Sequence, residues 1–420
     1  MKILLSAIAC NPLTGSEAAV GWTVAATIAQ RHEVHVLTHE FNRDAFELWQ
    51  QTHTLPENLH LHYCGINKGN HPNRLIARIA SWTTYQKWMR DLMEPAEKLH
   101  EKIRFDLIHH VTYATWRVAS PLWQLGIPFV WGPLGGGELF PWRFSGILSP
   151  MALAFEMARA SSNFLSLLNS RVRRCAKNST VCVAGNRETF DILQRLRGTK
   201  NGLSKLCVSF FERQQVEALA SLSHDKTTDG PLRIFAGGNL EGRKGVAIVL
   251  KALAKVQSRN VKFTYRLGGI GPELKHLQKL SAKLGLSGSV TFGQTLRGDA
   301  YHDELMKSHI YLLPSLRDNS GRTLMEAMLA GCVPIVGDCG GPGEIVTDEC
   351  GYRVKVSDSQ QMAEDITEII CKVDSDRGLI RSLGKAASQR IATDYSQDSY
   401  LESIEKIYSE ALKGHGVSHS

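Results

Sequence analysis

Several features that would assign this sequence to a familiar class of protein are missing from it. The 420 residues contain no run of five or six basic residues, although the net charge is +8 and the pI is about 9.0. Excess positive charge favours phosphates, nucleic acid or an acidic membrane surface as partners, and without such a run nucleic acid is the weakest of the three. No window of the sequence is long and apolar enough to span a bilayer.

Cysteine is present but lacks the spacing of a disulfide framework or a zinc site. There are nine cysteines, an odd number, and no two form a Cys-x-x-Cys pair. Buried thiols in a reducing compartment explain this pattern better. The first ten residues superficially resemble a lipoprotein signal, but their apolar run is brief, and we interpret them as a first buried strand. We therefore expect a cytoplasmic protein, with binding to the inner face of the membrane as an open alternative.

The length and the pattern of apolar runs predict two domains of the α/β class. Short apolar runs alternate with amphipathic stretches, and the alternation predicts parallel sheets with helices on both faces. We predict two doubly wound, Rossmann-like domains at 1–205 and 206–395, with a polar linker at 221–231, and a helix at 396–413 that packs back on the first domain. The predicted strands are 2–8, 33–37, 60–64, 105–109, 128–131, 181–184, 233–236, 262–267, 289–292, 310–313 and 333–336.

Two helical segments, at 74–93 and 139–168, differ from the rest of the first half. Both are rich in Trp, Phe, Met and Leu, with Arg and Lys interspersed. Such stretches can dock on a membrane surface. They can equally pack inside the first domain, and the sequence leaves both readings open.

The segment 310–331 has the pattern of a ligand site. A buried strand leads into a loop that carries Asp318, and Gly321 opens a helix that contains Glu326. Unpaired amides at a helix N-terminus favour a phosphate, and glycine lets a ligand approach the backbone closely. Carboxylates are strong acceptors for sugar hydroxyls. On these residues alone, a loop acid with a glutamate of the capping-box type is an alternative without any ligand.

The helix and the strand that follows it carry a more specific resemblance. The stretch Glu326-Ala-Met-Leu-Ala-Gly-Cys-Val-Pro-Ile resembles the donor-site motif of glycosyltransferase family 4. Membership would imply a retaining transferase of GT-B architecture, in which two doubly wound domains face each other across a cleft. It would place Glu326 on the ribose of the donor, and Asp318, which stands where the family has glutamate, on the donor sugar. The resemblance also puts the helix start in the donor site, namely Ser320, Gly321, Arg322 and Thr323.

Three further stretches, in the family's order along the chain, agree with this resemblance. The segment 235–245 is similar to a strand-loop-helix whose cations bind the donor diphosphate, which implies that role for Lys244. Asn239 stands at the position of the family's arginine, and Arg243 is our candidate for the missing cation. The turn at 268–272 resembles a scaffold turn, and Gly340-Gly341 resembles a glycine pair near the donor.

The first domain contributes candidates for the acceptor side and for catalysis. The loops at Gly15, Ser16 and Glu17 and at Gly135 and Gly136 could face phosphate or acceptor. They resemble a branch of the family found in bacterial surface-polysaccharide assembly. Family members often carry a histidine near the reacting sugar carbon, where this chain has Val111. His110 is our substitute candidate, although a strand-end histidine can equally be a packed one.

The sequence thus predicts a glycosyltransferase that needs no cofactor and no metal. Asp374 and Asp376 have the Asp-x-Asp form of metal-dependent transferases but lie between helical segments. The predicted reaction moves a hexose-type sugar from a nucleotide diphosphate to a saccharide in surface-polysaccharide synthesis, and we expect the saccharide to be lipid-linked. Asp318, His110 and Lys244 are the predicted catalytic residues. A non-catalytic subunit that binds nucleotide sugars, an epimerase and a phosphorylase on the same fold are alternatives.

Overall fold

The computed structural model describes residues 1–15, 17–65, 74–221, 226, 228–296 and 298–417. The chain forms two compact units. The first contains Met1–Gly137, Ser162–Val208 and Tyr400–Ser420, and the second contains Glu138–Ser161 and Ser209–Ser399. The boundary that we predicted at 205 leaves residues 138–161 in the first domain, whereas the structure groups them with the second.

The first unit is built on a parallel sheet. Its strands are β1 (Lys2–Ala7), β2 (Glu33–His39), β3 (Leu59–Cys64), β4 (Leu107–Thr112), β5 (Phe129–Leu134), β6 (Val181–Ala184) and β7 (Leu203–Lys205). They lie side by side in the order β3-β2-β1-β4-β5-β6-β7. Every residue of β4, β5 and β6 is buried, as expected for the central strands of a sheet covered on both faces.

The second unit repeats this plan with a parallel sheet of its own. Its strands are β8 (Leu232–Gly237), β9 (Phe263–Gly268), β10 (Val290–Gly293), β11 (Ile310–Leu313), β12 (Val333–Gly337) and β13 (Tyr352–Val354). Their order is β10-β9-β8-β11-β12-β13. In both sheets the order reverses beside the first strand, at β1–β4 and at β8–β11, and such switch points are where doubly wound sheets bind ligands.

Most pairs of successive strands are connected by α-helices. None of the helices within the described residues combines the length and the apolar composition that a membrane crossing requires. The helices are α1 (Glu17–Ile28), α2 (Arg43–Gln50), α3 (Arg74–Asp91), α4 (Met93–Ile103), α5 (Pro150–Leu168), α6 (Ser170–Asn178), α7 (Arg187–Arg197), α8 (Arg213–Ser221), α9 (Val246–Ser258), α10 (Leu274–Lys283), α11 (Asp299–Lys307), α12 (Arg322–Leu329), α13 (Gly340–Ile345), α14 (Ser359–Ser375), α15 (Gly378–Asp394) and α16 (Gln397–Val417).

The predicted α/β class is confirmed, and the predicted strands appear at the predicted places. The sequence did not predict β7 and β13, which have three residues each and lie at the edges of their sheets. A short edge strand is buried on fewer sides, so it needs no long apolar run and leaves little pattern to read. The predicted linker lies partly at 222–225 and 227, outside the described residues.

The two aromatic segments pack differently from each other. In the first unit, Tyr85, Trp88 and Met89 of α3 are buried in the core, which favours packing over membrane docking for that part of the helix. In the second unit, Phe140 and Phe144 are buried in the core around β8 and α9, and this burial is the physical reason for the grouping of 138–161. The sequence around an aromatic residue does not indicate in which of the two hydrophobic cores that residue is buried.

The last helix, α16, is joined to the first sheet by a buried hydrogen bond. His109 on β4 contacts the carbonyl oxygen of Gly132 through Nε2, at 2.6 Å, so Nε2 carries the proton. Its Nδ1 therefore accepts from the Tyr408 hydroxyl, at 2.7 Å. Burial lowers the pKa of His109 to about 4, so the ring is neutral at pH 7.

We expect Tyr408→Phe to lower the unfolding free energy by about 1–3 kcal/mol, because the buried Nδ1 of His109 loses its donor. Urea unfolding followed by tryptophan fluorescence measures the change. Tyr352→Phe on β13, at a half-buried position, is the matched control and should unfold like the wild type. Equal stability of Tyr408→Phe and the wild type would contradict the assigned hydrogen bond.

Candidate functional site

Two loops meet at the switch point of the second sheet, because β8 and β11 are hydrogen-bonded neighbours. The first loop ends at Lys244, and the second carries Asp318. Gly245 lies between Lys244 and α9 with φ +69, and a Cβ there would be 2.3 Å from the carbonyl oxygen of Pro314. Only glycine permits this approach, which brings Lys244 Nζ to 2.5 Å from Asp318 Oδ2.

Asp318 is the centre of this contact and has partners on both carboxylate oxygens. Its Oδ2 also accepts from the Ser315 hydroxyl at 3.2 Å, and its Oδ1 accepts from the Asn319 amide at 3.1 Å. Arg243 Nη1 is 3.6 Å from Oδ1. Burial by itself would raise the pKa of Asp318, but Lys244 and Arg243 outweigh it and hold the pKa at about 2. The carboxylate is therefore charged at neutral pH and balances two cations.

The glycine pair Gly340-Gly341, which the resemblance places near the donor, packs against the backbone of the Asp318 loop. Gly340 has φ +55, and a Cβ at this position would be 1.9 Å from the Asp318 carbonyl oxygen. The amide of Gly341 donates to the same oxygen at 3.4 Å. Any side chain at Gly340 would therefore push the Asp318 loop away from Lys244.

Arg243 points toward Asp318, a direction that the sequence could not supply. Its Nε donates to Glu241 at 2.7 Å, and its Nη1 donates to the Arg317 carbonyl oxygen at 2.9 Å. Glu241 was not among our predicted residues. The structure thus brings together Arg243, Lys244 and Asp318, which we call the charge triad.

A second ion pair beside the triad escaped the sequence reading. Arg317, next to Asp318, forms two hydrogen bonds with Glu156 of α5, at 2.8 and 3.1 Å, and both side chains are less than a tenth exposed. The two residues are 161 positions apart, so no local pattern could have paired them. Ser149, just before α5, also donates to the buried Glu273 at 2.7 Å. Residues 138–161 are therefore hydrogen-bonded to the loop that carries Asp318 and to Glu273 in their own unit.

The start of α12 supplies the rest of the predicted donor site. Gly321 is its N-cap, with φ 72 and no side-chain cap, so the first amides of the helix keep their capacity for another acceptor. Glu326 Oε1 accepts from Arg322 Nε at 3.2 Å. Burial raises the pKa of Glu326 although Arg322 acts in the opposite direction. Arg322 is also held by the Phe210 carbonyl oxygen at 2.7 Å, and its guanidinium lies 4.0 Å above the Phe211 ring.

The remaining predicted donor residues differ in their surroundings. The hydroxyl of Thr323 accepts from the buried Tyr311 at 2.9 Å, so this side chain supports the fold of the site. Asn239, in the position of the family's arginine, is exposed on the loop after β8, and Ser320 is half-buried. Tyr301 was not predicted, yet its hydroxyl donates to the Thr323 carbonyl oxygen at 3.3 Å beside Glu326.

In the first unit, the predicted loops converge on one backbone segment at its own switch point. Glu17 Oε1 accepts from the Ala114 amide at 2.5 Å, and the Ala114 carbonyl oxygen accepts from the Gly135 amide at 3.0 Å. The carbonyl oxygen of Gly136 accepts from Asn163 at 3.1 Å. Gly15 is exposed, and Ser16 lies outside the described residues.

His110 requires a correction, because the structure favours the packed histidine over the catalytic one. The side chain is completely buried, with Nδ1 2.9 Å from the Ser6 hydroxyl and Nε2 3.3 Å from the Tyr85 hydroxyl. Burial, and to a lesser degree His109, lowers its pKa to about 3. A neutral ring without solvent exposure and with both nitrogens engaged cannot reach a substrate. Val111 is likewise completely buried.

The Asp-x-Asp sequence at 374–376 has local structural partners. Asp374 pairs with Arg377, and Asp376 Oδ1 accepts from the Gly378 amide at 3.0 Å at the start of α15. Both carboxylates thus act at the junction of two helices.

Comparison with known proteins shows which sequences and structures this chain resembles. Residues 222–390 match the family model of glycosyl transferases group 1, which spans the charge triad and α12. A protein of Salmonella typhimurium named as a colanic acid biosynthesis glycosyltransferase, WcaL, is 26% identical over 177 residues. That alignment covers 40% of this chain and 43% of the relative, so less than half the length of the relative is matched.

Two solved structures resemble the whole chain. Sucrose-phosphate synthase from Thermosynechococcus elongatus aligns with a TM-score of 0.66 at 16% identity, covering 98% of this chain and 99% of its own. Anabaena HepE in complex with UDP-glucose aligns with a TM-score of 0.58 at 17% identity, covering 97% and 99%. At such identities the likeness shows the fold alone, and it confirms the predicted GT-B class of two parallel-sheet α/β domains. The family match confirms the resemblance read from the motifs.

The charge of Asp318 makes stability depend on pH in a way that Asp318→Asn should remove. The pKa is below the unfolded value near 3.8, so the contribution is complete above that pH and is lost as the pH falls toward 2. From this shift we expect the wild type to exceed the variant by about 2 kcal/mol more at pH 6 than at pH 2. Urea unfolding of both proteins at several pH values measures this difference. A difference that does not vary with pH would refute the ionised, paired state.

We expect Glu156→Ala to cost about 3–5 kcal/mol in unfolding free energy, since it leaves the buried Arg317 without its counter-charge. The double variant Glu156→Leu with Arg317→Met should recover most of this loss, because well-packed apolar side chains often replace a buried pair without penalty. Chemical unfolding of the full chain tests both variants. Glu94→Ala, which removes a fully exposed partner of Lys98, is the control and should have no measurable effect. Wild-type stability of Glu156→Ala would contradict the burial of the pair.

Proposed function

Because residues 222–390 are a glycosyl transferases group 1 domain, we propose that this protein transfers a hexose-type sugar from a nucleotide-diphosphate donor to a saccharide acceptor with retention of configuration. The observation that carries the proposal is the charge triad. It holds two cations at the switch point of the second sheet, in the unit that also carries the open amides of α12.

The leaving group of this reaction is a nucleoside diphosphate, whose negative charge grows as the sugar bond breaks. Lys244 and Arg243 are already oriented by Asp318, so little reorganisation is needed to stabilise that charge. The amides of Gly321 and Arg322 add the positive end of a helix. We propose that these groups neutralise the diphosphate without a metal ion, and that Asp374 and Asp376 take no part.

Glu326 is proposed to accept hydrogen bonds from the ribose hydroxyls. It lies one turn into α12, is half-buried, and is held on one side by Arg322 at 3.2 Å. A hydrogen bond to an ionised carboxylate contributes about 1.5–3 kcal/mol, which makes this residue a strong point of donor selection.

Asp318 is proposed to change partners when the donor binds. In the structure, both of its oxygens are occupied, and the shortest contact is with Lys244. A diphosphate with more negative charge than one carboxylate draws the lysine toward itself. The oxygen released in this exchange then accepts a hydrogen bond from a sugar hydroxyl, so donor binding prepares the sugar contact.

The transfer itself is proposed to proceed on one face of the sugar. The acceptor oxygen attacks the anomeric carbon as the bond to the phosphate breaks, and the leaving phosphate oxygen takes the acceptor proton. No side-chain nucleophile is required, and with His110 buried in the core, no histidine is assigned to the reaction.

The donor base and the acceptor are proposed from the relatives. HepE was solved with UDP-glucose, and WcaL is named for colanic acid biosynthesis. We therefore favour a UDP-sugar as donor and a saccharide, carried on a lipid, in surface-polysaccharide synthesis. We propose a cytoplasmic enzyme that binds peripherally to the inner face of the membrane. This is supported by four exposed apolar side chains, those of Trp142, Met151, Phe155 and Met157.

A non-catalytic protein that binds nucleotide sugars is the second candidate. It is favoured by Asn239, which lacks the cation of the family's arginine, and by the full occupancy of Asp318. Release of nucleotide from a donor in the presence of acceptor extracts separates the two functions. Turnover supports the transferase, whereas tight binding without turnover on any acceptor supports the binding protein.

We expect UDP-glucose, among UDP-, GDP- and ADP-glucose, to raise the melting temperature most, since only the folded state binds the donor. Glu326→Ala should weaken the apparent affinity about 10- to 100-fold, in proportion to the lost hydrogen bond. Thermal shift across a donor titration measures both effects. Glu349→Ala, at an exposed site of the same unit, is the control and should bind as the wild type does. Unchanged affinity of Glu326→Ala would disprove its assignment to the ribose.

A further inference from the structure

Four side chains capable of binding metal lie on one face of two neighbouring strands in the first unit. Glu33 and His35 alternate along β2, and His60 and His62 alternate along β3. The register pairs His35 directly with His60, so their side chains leave the sheet side by side. A two-residue period on each strand thus places all four on the same face, and we call this group the histidine face.

The distances within the histidine face are close to those of a coordination site. One ligand atom each from Glu33, His35 and His60 lies within 4.8 Å of the other two. Two ligands of a tetrahedral zinc ion stand about 3.3 Å apart, as follows from Zn–N and Zn–O bonds of about 2.0–2.1 Å. Glu33 Oε1 and His35 Nε2 are 2.9 Å apart. The rings of His35 and His60 are stacked with centroids 4.6 Å apart, so the exposed His60 side chain has to reorient to turn a nitrogen toward an ion held by the other two residues.

We propose that Glu33, His35 and His60 bind a divalent transition-metal ion of the zinc and nickel class, with water at the remaining position. Two imidazoles and one carboxylate are a ligand set that zinc uses, and imidazole nitrogen selects transition metals over magnesium or calcium. The site lies in the first unit, and the proposal does not depend on the function proposed for the charge triad.

His62 acts as the positioning residue of this site. Its Nε2 lies 2.9 Å from His35 Nδ1, the nitrogen that faces away from Glu33. Metal-binding histidines almost always donate their second N–H to an acceptor, usually a carboxylate, a backbone carbonyl or water, which fixes the ring and raises its basicity, and the imidazole nitrogen of His62 would take this place here. The ring of Phe105 packs edge-on against His35, with centroids 5.4 Å apart, and limits its rotation.

His35 is held in place by its neighbours, and the site is open to solvent on the side of His60. His35 is 6% exposed, whereas His60 is exposed and Glu33 is half-buried. An ion can therefore reach the open side of the face and meet one preoriented nitrogen. Because β3 is the edge strand of its sheet, a bound ion would tie this edge to β2.

The test is calorimetric titration of tag-free full-length protein, stripped with EDTA and returned to chelator-free buffer, with Zn²⁺, Ni²⁺ and Mg²⁺. The wild type should bind one equivalent of Zn²⁺ and of Ni²⁺, and no Mg²⁺. His60→Ala should lose this stoichiometric binding, and because the residue is exposed the variant should fold, which circular dichroism checks. His62→Ala should bind about 10- to 100-fold more weakly, as expected for loss of a partner that orients a ligand.

His53→Ala is the matched control, since His53 is an exposed histidine of the same unit that contacts Thr52 and Trp49 instead of the histidine face. It should bind zinc as the wild type does. The proposal is overturned if the wild type binds no zinc, or if His60→Ala and the wild type bind it alike. Stabilisation by UDP-glucose should be the same in His60→Ala and the wild type, so failure of the metal site and failure of the donor site are separately visible.

Discussion

The contact between Asp318 and Lys244 is the interaction on which the rest of the second unit depends. Burial alone would raise the pKa of this carboxylate, whose side chain is 14% exposed, but the lysine and Arg243 keep it ionised with a pKa of about 2. The contact in turn requires two glycines. Gly245 lets the first loop approach the carbonyl oxygen of Pro314, and Gly340 leaves space behind the second loop. The ion pair therefore depends on the backbone geometry, because a side chain at either glycine would separate Asp318 from Lys244.

Topology explains how residues 74 positions apart come to share this contact. Strands β8 and β11 are neighbours in the sheet although β9 and β10 intervene in the chain. Their loops therefore leave the sheet side by side, which brings Lys244 into contact with Asp318. The pair of Glu156 and Arg317 extends this arrangement, since it fastens α5 to the residue that precedes Asp318.

The sequence predicted the structure correctly where a continuous segment is buried and its pattern can be recognised from neighbouring residues. The central strands are rich in apolar residues, and the order of strand, glycine, acid and helix around Gly321 and Glu326 is visible without coordinates. It did not succeed where a contact spans distant segments, as for Glu156 and Arg317, or where a strand is short and at an edge, as for β7 and β13. It also could not decide the role of His110, because a histidine at a strand end looks the same whether it faces a ligand or the hydroxyls of Ser6 and Tyr85. Long-range packing decides such cases.

The two switch points differ in their charged groups, and this difference supports the proposal that the diphosphate binds at the second sheet. Around β8 and β11, the cations Lys244 and Arg243 pair with Asp318 and Glu241, in the unit that also carries the open amides of α12. Around β1 and β4, Glu17 is tied to the Ala114 amide, with its pKa raised by burial, and His110 is neutral and enclosed. A diphosphate is stabilised by the first environment and gains nothing from the second. The same strand order therefore carries different chemistry in the two units. The switch point at β1 and β4, in the first unit, is suited to a ligand without the charge of a diphosphate.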